Sequence, residues 1–250
     1  MFTLACDRTY LYAHSDRELT ADEQSRYNQA IDHRSQGIPS QYITGHQEFW
    51  GMDLIVSPAV LIPRPETEHL IEAVLPLAGG MTKPKIVDVG TGSGCVALAL
   101  AKELPGGEIH ATEISPAALE IAEANAARHQ LEHRIKFHDT DLLQDLPRSY
   151  FDIVVSNPPY VGESEQDQVQ LEVRKFEPRN AVFAGPTGLE IIQKLLPQAQ
   201  EKLRPGGWLV FEISGTIAAG VRDQLSNWRE VRIIPDLQGI PRVAVARSVV

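Results

Sequence analysis

From Lys85 to the carboxyl end, two kinds of apolar pattern take turns. Short β-branched runs at Ile86–Val89, Ile109–Glu113, Ile135–His138, Phe151–Val155 and Trp208–Ile213 read as strands. Between them, Cys95–Glu103, Pro116–His129, Gly188–Arg204 and Ile217–Leu225 carry apolar residues at helical spacing. Strands that alternate with helices specify a doubly wound, mostly parallel sheet covered on both faces. Pro205-Gly206-Gly207 reads as a turn before the fifth strand. Two last runs, Glu230–Ile234 and Val243–Ser248, are joined by a connection too short for a helical crossover. They pair antiparallel, so the α/β sheet has seven strands with an antiparallel edge strand.

Upstream the pattern differs. Residues up to about 38 look helical; Thr20-Ala21-Asp22-Glu23 is a capping box and Gly37 a stop, which predicts a helix over Ala21–Gln36. Gln47-Glu48-Phe49-Trp50, Gly51-Met52 and Asp53-Leu54-Ile55-Val56 read as a short hairpin. Pro65 suits a first helical position, Glu66 and Glu68 suit the positive end of a helix dipole, and Leu70, Ile71, Val74 and Leu75 form one apolar face. Taken alone, Arg64, Glu66 and Glu68 are helix-start chemistry. The organisation is thus a short helical segment (1–40), a hairpin and linker helix (41–80), and an α/β domain (81–250).

Composition narrows the partners more than the fold. With 250 residues, 43% hydrophobic and 22% charged, the chain is an ordinary globular protein. A formal charge of −10 argues against a sequence-independent grip on phosphate backbones, so no direct nucleic-acid binding is expected. The two cysteines, Cys6 and Cys95, make no disulfide framework, and no histidine has metal-ligand spacing, so no metal is expected. Neither a signal pattern nor a membrane-length apolar run is present, and the expected setting is cytoplasmic, with no membrane partner.

The candidate chemistry lies at strand ends. After Phe151–Val155 comes Ser156-Asn157-Pro158-Pro159-Tyr160, where two prolines end the ladder because neither donates a backbone hydrogen. Asn157 and Tyr160 are presented past a strand's carboxyl end, where open α/β sheets bind ligands. Proline carbonyls and the Asn157 side-chain carbonyl make the segment rich in acceptors, complementary to a planar NH₂ group with two donors. Tyr160 adds a flat face for stacking. The tetrapeptide alone is equally a proline-terminated strand with an Asn turn. Upstream, Gly90-Thr91-Gly92-Ser93-Gly94 follows Asp88 at a strand-to-helix junction and lets a ligand approach the backbone. Cys95 stands where the dinucleotide fingerprint needs glycine. Glu113 ends the next strand, where an acid accepts hydrogen bonds from both ribose hydroxyls, which identifies a ribose and not its owner. Asp141 and Leu142 follow the third strand, where an adenine would lie; Leu142 packs on that ring or, equally, belongs to the core. Val161 to Thr187 is long, polar and weakly periodic, and is read as a loop walling the substrate site.

Together the glycine loop, the ribose acid and the tetrapeptide resemble class I S-adenosylmethionine-dependent methyltransferases. Asn157-Pro158-Pro159-Tyr160 resembles the subset that methylates planar NH₂ nitrogens of adenine, guanine or protein glutamine. Ala30 to Gly51, Val60 to Glu68, Phe176-Glu177-Pro178 and Gly239-Ile240-Pro241-Arg242-Val243 look like the peptide chain release factor glutamine methyltransferase family. The resemblance runs from Tyr10 to the carboxyl end. It implies a Rossmann-like fold, S-adenosyl-L-methionine as methyl donor with S-adenosyl-L-homocysteine as product, and the glutamine of the release factor Gly-Gly-Gln (GGQ) loop as substrate. By position, Gly90, Thr91, Gly92, Ser93, Gly94, Glu113, Leu142 and Asn157 contact the cofactor, with Asp141 beside Leu142. Asn157, Pro158, Pro159 and Tyr160 hold the glutamine, and Asn157, Pro158 and Tyr160 act in catalysis. The family usually begins with a longer helical domain, so residues 1–40 are expected to be a truncated release-factor-binding segment. Glu113 stands where Asp is frequent.

Other readings predict other things. A nucleic-acid amino-methyltransferase shares the site but wants a basic face or a recognition domain. A ribosomal-protein glutamine methyltransferase is poorly separated by sequence. A non-catalytic module predicts a degraded loop or tetrapeptide, and a dehydrogenase is disfavoured by Cys95. The expected partner is a release factor, and the expected state a monomer.

Overall fold

A computed structural model, which describes residues 2–249, organises the chain around one seven-stranded sheet. Three helices lead in: α1 (Arg8–Ala13), α2 (Ala21–Ser35) and α3 (Ser40–Thr44). The capping box is formed, with Glu23 N donating to Thr20 Oγ1 (3.3 Å) and Thr20 N to Glu23 Oε2 (2.8 Å). Strands β1 (His46–Phe49) and β2 (Met52–Ile55) make the hairpin through Trp50-Gly51, with φ of 52° and 66°. Positive φ at both turn positions matches the twist of the flanking strands. Trp50 is held there because its backbone N donates to Glu68 and its indole N to Glu103. A 3₁₀ turn at Pro65–Thr67 leads into α4 (Glu68–Ala78), which buries Leu70, Ile71, Val74 and Ala78 and leaves Leu75 half-buried.

Then β3 (Lys85–Val89), α5 (Cys95–Glu103), β4 (Glu108–Glu113), α6 (Pro116–Arg128), β5 (Ile135–Asp139) and β6 (Phe151–Ser156) follow in turn. An excursion holds β7 (Val161–Gly162), α7 (Leu171–Phe176), α8 (Arg179–Val182) and β8 (Phe183–Gly185). The chain ends through α9 (Glu190–Lys202), β9 (Leu203–Glu212), α10 (Ala218–Gln224), β10 (Arg229–Pro235) and β11 (Pro241–Arg247). The sheet order is β10-β11-β9-β6-β3-β4-β5. All neighbours are parallel except at β11, which runs antiparallel to both β10 and β9. The short β10–β11 connection reverses the last strand, and that strand inserts one place in from the edge.

Alternation along each strand separates two cores, because successive side chains leave a sheet on opposite faces. Ile86, Ile153, Val155, Val210 and Val245 pack with α4, α5 and the hairpin residues Phe49, Met52 and Leu54. Val87, Val89, Val154, Leu209 and Phe211 pack with α9 and α10. β4 and β5 lie to one side of β3, whereas β6 lies to the other. The loops leaving β3 and β6 therefore diverge at the topological switch point, where such sheets hold ligands.

Two local expectations change. The stretch 161–187 is not an unstructured loop: it contains a parallel β7–β8 pair, a 3₁₀ turn at Glu163–Gln168 and two short helices. Elements of two to six residues are too short to impress a period on the sequence. The turn at Pro205-Gly206-Gly207 is instead a bulge within β9, since Leu203 already pairs with Phe151 and Trp208 with Ile153. Such an insertion bends a strand without ending it.

Candidate active site

The glycine loop leaves β3 over α5. Asp88, buried on the α5 face, accepts from Thr91 Oγ1 (2.6 Å) and from Ala97 N (3.2 Å), so it fastens the loop to the first turn of the helix. Burial pushes its carboxyl up to about 7. Gly92 has a φ of 56°, and a Cβ built there meets nothing within 4 Å, so the loop presents bare backbone to open space. Gly90 faces the same space, whereas Gly94 sits at the start of α5 against Leu98 and Ala122 of α6. Asn125, fully buried on α6, donates to Ser93 O (2.9 Å) and Ile55 O (3.0 Å), tying loop to hairpin.

Glu113 is aimed by backbone. Gly92 N donates to its Oε2 (2.9 Å), while Ile114 N and Ser115 N donate to Oε1 (2.9 and 3.0 Å). A carboxylate accepts about four hydrogen bonds, so one position, on Oε2, remains for a ligand hydroxyl. Leu142 takes a φ of 52°, uncommon for a bulky side chain, and lines the same space with Asp141. These groups surround a cavity of about 350 Å³ lined by Gly90, Thr91, Gly92, Ser93, Glu113, Asp141, Leu142, Asn157 and Pro159. Pro158 is buried, and Tyr160 is turned away toward β9; neither lines the cavity, and nor does Gly94.

Beyond β6, Ser156 Oγ donates to Val89 O (2.8 Å), which anchors the start of the tetrapeptide to β3. The Asn157 amide donates through Nδ2 to Thr67 Oγ1 (3.0 Å). Its amide oxygen is thereby left as an acceptor at the edge of the cavity. Tyr160 O–H donates to Glu212 Oε1 (3.0 Å), and both burial and that carboxylate push the phenol above its usual value. The Tyr160 backbone is clamped by Gly188: a Cβ there would lie 2.5 Å from Tyr160 O, at a φ of +84°. Gly188→Ala is therefore expected to cost about 2–3 kcal/mol in a denaturant melt, from overpacking and left-handed strain together. An unchanged midpoint would show that the clamp is loose.

The excursion closes another side. Glu177, whose side chain is 1% exposed, pairs with Arg64 and accepts from Ile62 N (3.2 Å). This brings Pro178, Asn180 and Ala181 to the cavity opposite Pro63 and Arg64. Among the described residues there is no cluster of three His, Cys, Asp or Glu that could hold a metal, and no helix is long and apolar enough to cross a membrane.

The carboxylate-aimed glycine cradle beside an acceptor-rich strand end is a methyltransferase arrangement, and the comparisons agree. Residues 66–175 match the methyltransferase small domain, and residues 1–45 match the PrmC N-terminal domain. A release factor glutamine methyltransferase of Koribacter versatilis is 57% identical over 249 residues, covering 99% of this chain and 88% of the relative. The chain belongs to the release factor glutamine methyltransferase family. Another member, from Moorella thermoacetica, is 42% identical over 96% of this chain and 85% of its own. The fold is shared more widely. The hMettl16 catalytic domain, solved with the MAT2A 3'UTR hairpin 1, superposes with a TM-score of 0.65 at 20% identity, over 91% of this chain and 80% of that one. A ribosomal protein L11 methylase from Lactobacillus delbrueckii gives 0.53 at 25% identity, over 74% and 80%.

Within this member of the family, three residues without a motif of their own support the site: Thr67, Asn125 and Glu212. Thr67 lies inside the helix-start segment already singled out. Glu212 left a visible trace, an acid ending the apolar run from Trp208. Asn125 left none, because its partners are backbone atoms 32 and 70 positions away.

Proposed function

We propose that this protein transfers a methyl group from S-adenosylmethionine to the side-chain amide nitrogen of the glutamine in the GGQ loop of peptide chain release factors, in the bacterial cytoplasm. The observation that carries this reading is the orientation of Asn157. Its NH₂ is spent on Thr67, so an acceptor faces the cavity beside prolines that can only accept. A primary amide is the complementary group. Gly90, Gly92 and Glu113 suit the ribose and backbone contacts of the donor, and Asp141 and Leu142 its base.

When bound, the donor supplies an electrophilic methyl group on a sulfonium. The protein's part is to prepare the nitrogen. An amide lone pair is delocalised into its carbonyl, as in a peptide bond. Hydrogen bonds from its N–H groups to Asn157 Oδ1 and to a backbone carbonyl of the tetrapeptide beside Pro159, which lines the cavity, favour the pyramidal, reactive form, and fixed orientation supplies much of the rate. The nitrogen sheds its proton readily once it carries positive charge, so no strong base is required beforehand.

Methyl transfer from labelled donor to an unmodified release factor, with peptide mapping, tests this. One methyl on the GGQ glutamine, absent from a Gln→Asn substrate, is the expected result; labelling of ribosomal protein or RNA in its place would refute it. Glu113→Ala is expected to weaken donor binding by roughly 10- to 100-fold in calorimetry, the value of charge-assisted hydrogen bonds. Unchanged affinity would remove Glu113 from the site.

A further inference from the structure

The carboxyl of Glu212 lies behind the tetrapeptide at the end of β9 and is 2% exposed. Its Oε1 accepts from Tyr160, while Oε2 is buried with no hydrogen-bond partner among the described residues. The Thr67 hydroxyl is near enough to the same carboxyl to favour its charged form, although the two do not form a hydrogen bond in this arrangement. Three charged or titratable groups stand round about: Glu66 from the 3₁₀ turn, Arg242 from β11 and Cys95 from α5. Arg242 gives its Nε to Asp236 at 2.8 Å and favours the charged form of Glu212 only through space; among the described residues Glu212 forms no ion pair. Burial, reinforced by Glu66, pushes Glu212 up to about 7.

Thr67 acts electrostatically on this carboxyl and is hydrogen-bonded to Asn157, so it is placed to couple the two. A hydroxyl has one hydrogen to give and two lone pairs. Thr67 Oγ1 accepts from Asn157 Nδ2, so its own hydrogen is free for the Glu212 carboxylate. That direction of donation leaves Asn157 Oδ1 toward the substrate. A neutral Glu212 reverses it: the acid donates to Thr67, the Thr67 hydrogen turns to Asn157, and the Asn157 amide rotates to present NH₂. Two NH₂ groups facing each other make no hydrogen bond.

We propose that Glu212 is a positioning residue which, through Thr67, sets which end of the Asn157 amide meets the substrate nitrogen, so that the site works with Glu212 ionised and idles with it neutral. This rests on the amide-methylation reading above. It also gives the buried carboxylate a use that fold stability does not require.

Single-turnover methyl transfer to a release factor at saturating donor, followed from pH 5.5 to 9, tests it. The rate constant is expected to rise about tenfold between pH 6 and pH 8, as one ionisation near 7 dictates. Glu212→Gln can still engage Thr67 and Tyr160 but cannot ionise, and its profile is expected to be flat. Thr67→Val keeps the shape, breaks the link, and is expected to lose the limb as well. Asp88→Asn removes the other buried acid raised to about 7 and is expected to keep it. Donor affinity and thermal melting of each variant confirm that it is folded. A flat wild-type profile, or a limb that survives in either Glu212→Gln or Thr67→Val, overturns the proposal. No transfer at any pH from wild-type protein that binds donor overturns the amide-methylation reading itself, a separate and recognisable failure.

Discussion

Asn157→Ala is expected to lower the single-turnover rate constant for methyl transfer by about two to three orders of magnitude, the scale of losing one preorganised polar group at a reacting centre. The side chain is half-buried and, among the described residues, makes one hydrogen bond, to Thr67. Its removal therefore leaves both cores untouched, and the loss belongs to the chemistry. Both the Asn157 oxygen and a backbone carbonyl of the tetrapeptide beside Pro159 are assigned to the substrate NH₂. Alanine deletes the first and leaves the second, so the nitrogen reverts toward its planar, unreactive form. The measurement is rapid-quench transfer at saturating donor and release factor. A near-normal rate would remove Asn157 from the mechanism and, with it, the basis for reading the tetrapeptide as an amide cradle.

Arg64→Ala is expected to release the wall of the site. Glu177 is buried and, among the described residues, takes its one charge partner from Arg64, with Ile62 N as a second donor. Removing one partner of a buried pair leaves an uncompensated charge; with Arg64 itself a third exposed, the lower end of the usual range applies, about 3 kcal/mol. The cheapest relief is local. Glu177 sits between two helices of six and four residues, so the segment can leave without unfolding the sheet. Amide exchange over 171–182 is expected to accelerate by roughly 150-fold, the equivalent of that energy, while exchange in β3 and β6 stays near its original rate. Unchanged exchange across 171–182 would show that the ion pair does not hold the wall. The same variant should raise KM for the release factor, because Pro178, Asn180 and Ala181 are then no longer held at the cavity.

Legibility from the sequence followed length and locality. The helix over 95–103 has the bounds read from its apolar pattern, and the capping box at Thr20 and Glu23 forms as written. Both signals are complete within a dozen residues. The excursion between β6 and α9 was illegible because its elements are shorter than a period. Its position depends on Arg64 meeting Glu177, 113 residues away in sequence. The bulge at 204–207 looks like a turn in sequence, because its proline and glycines suit either setting. Only pairing of Leu203 with Phe151 on β6 distinguishes them.

By itself the sequence determined the alternation of strand and helix, the two strand ends that carry chemistry, and the acceptor-rich character of Asn157 to Tyr160. These are properties of covalent structure: side-chain period, the absence of N–H on proline, and the bare backbone of glycine. Tertiary structure decided how that chemistry is aimed. It brought Thr67 from the head of α4 to the Asn157 amide, Glu212 from the end of β9 to Tyr160, and Gly92 to the carboxylate of Glu113. Hydrogen-bond direction depends on which donor arrives at which acceptor, and those partners come from strands and helices that only the sheet order places side by side.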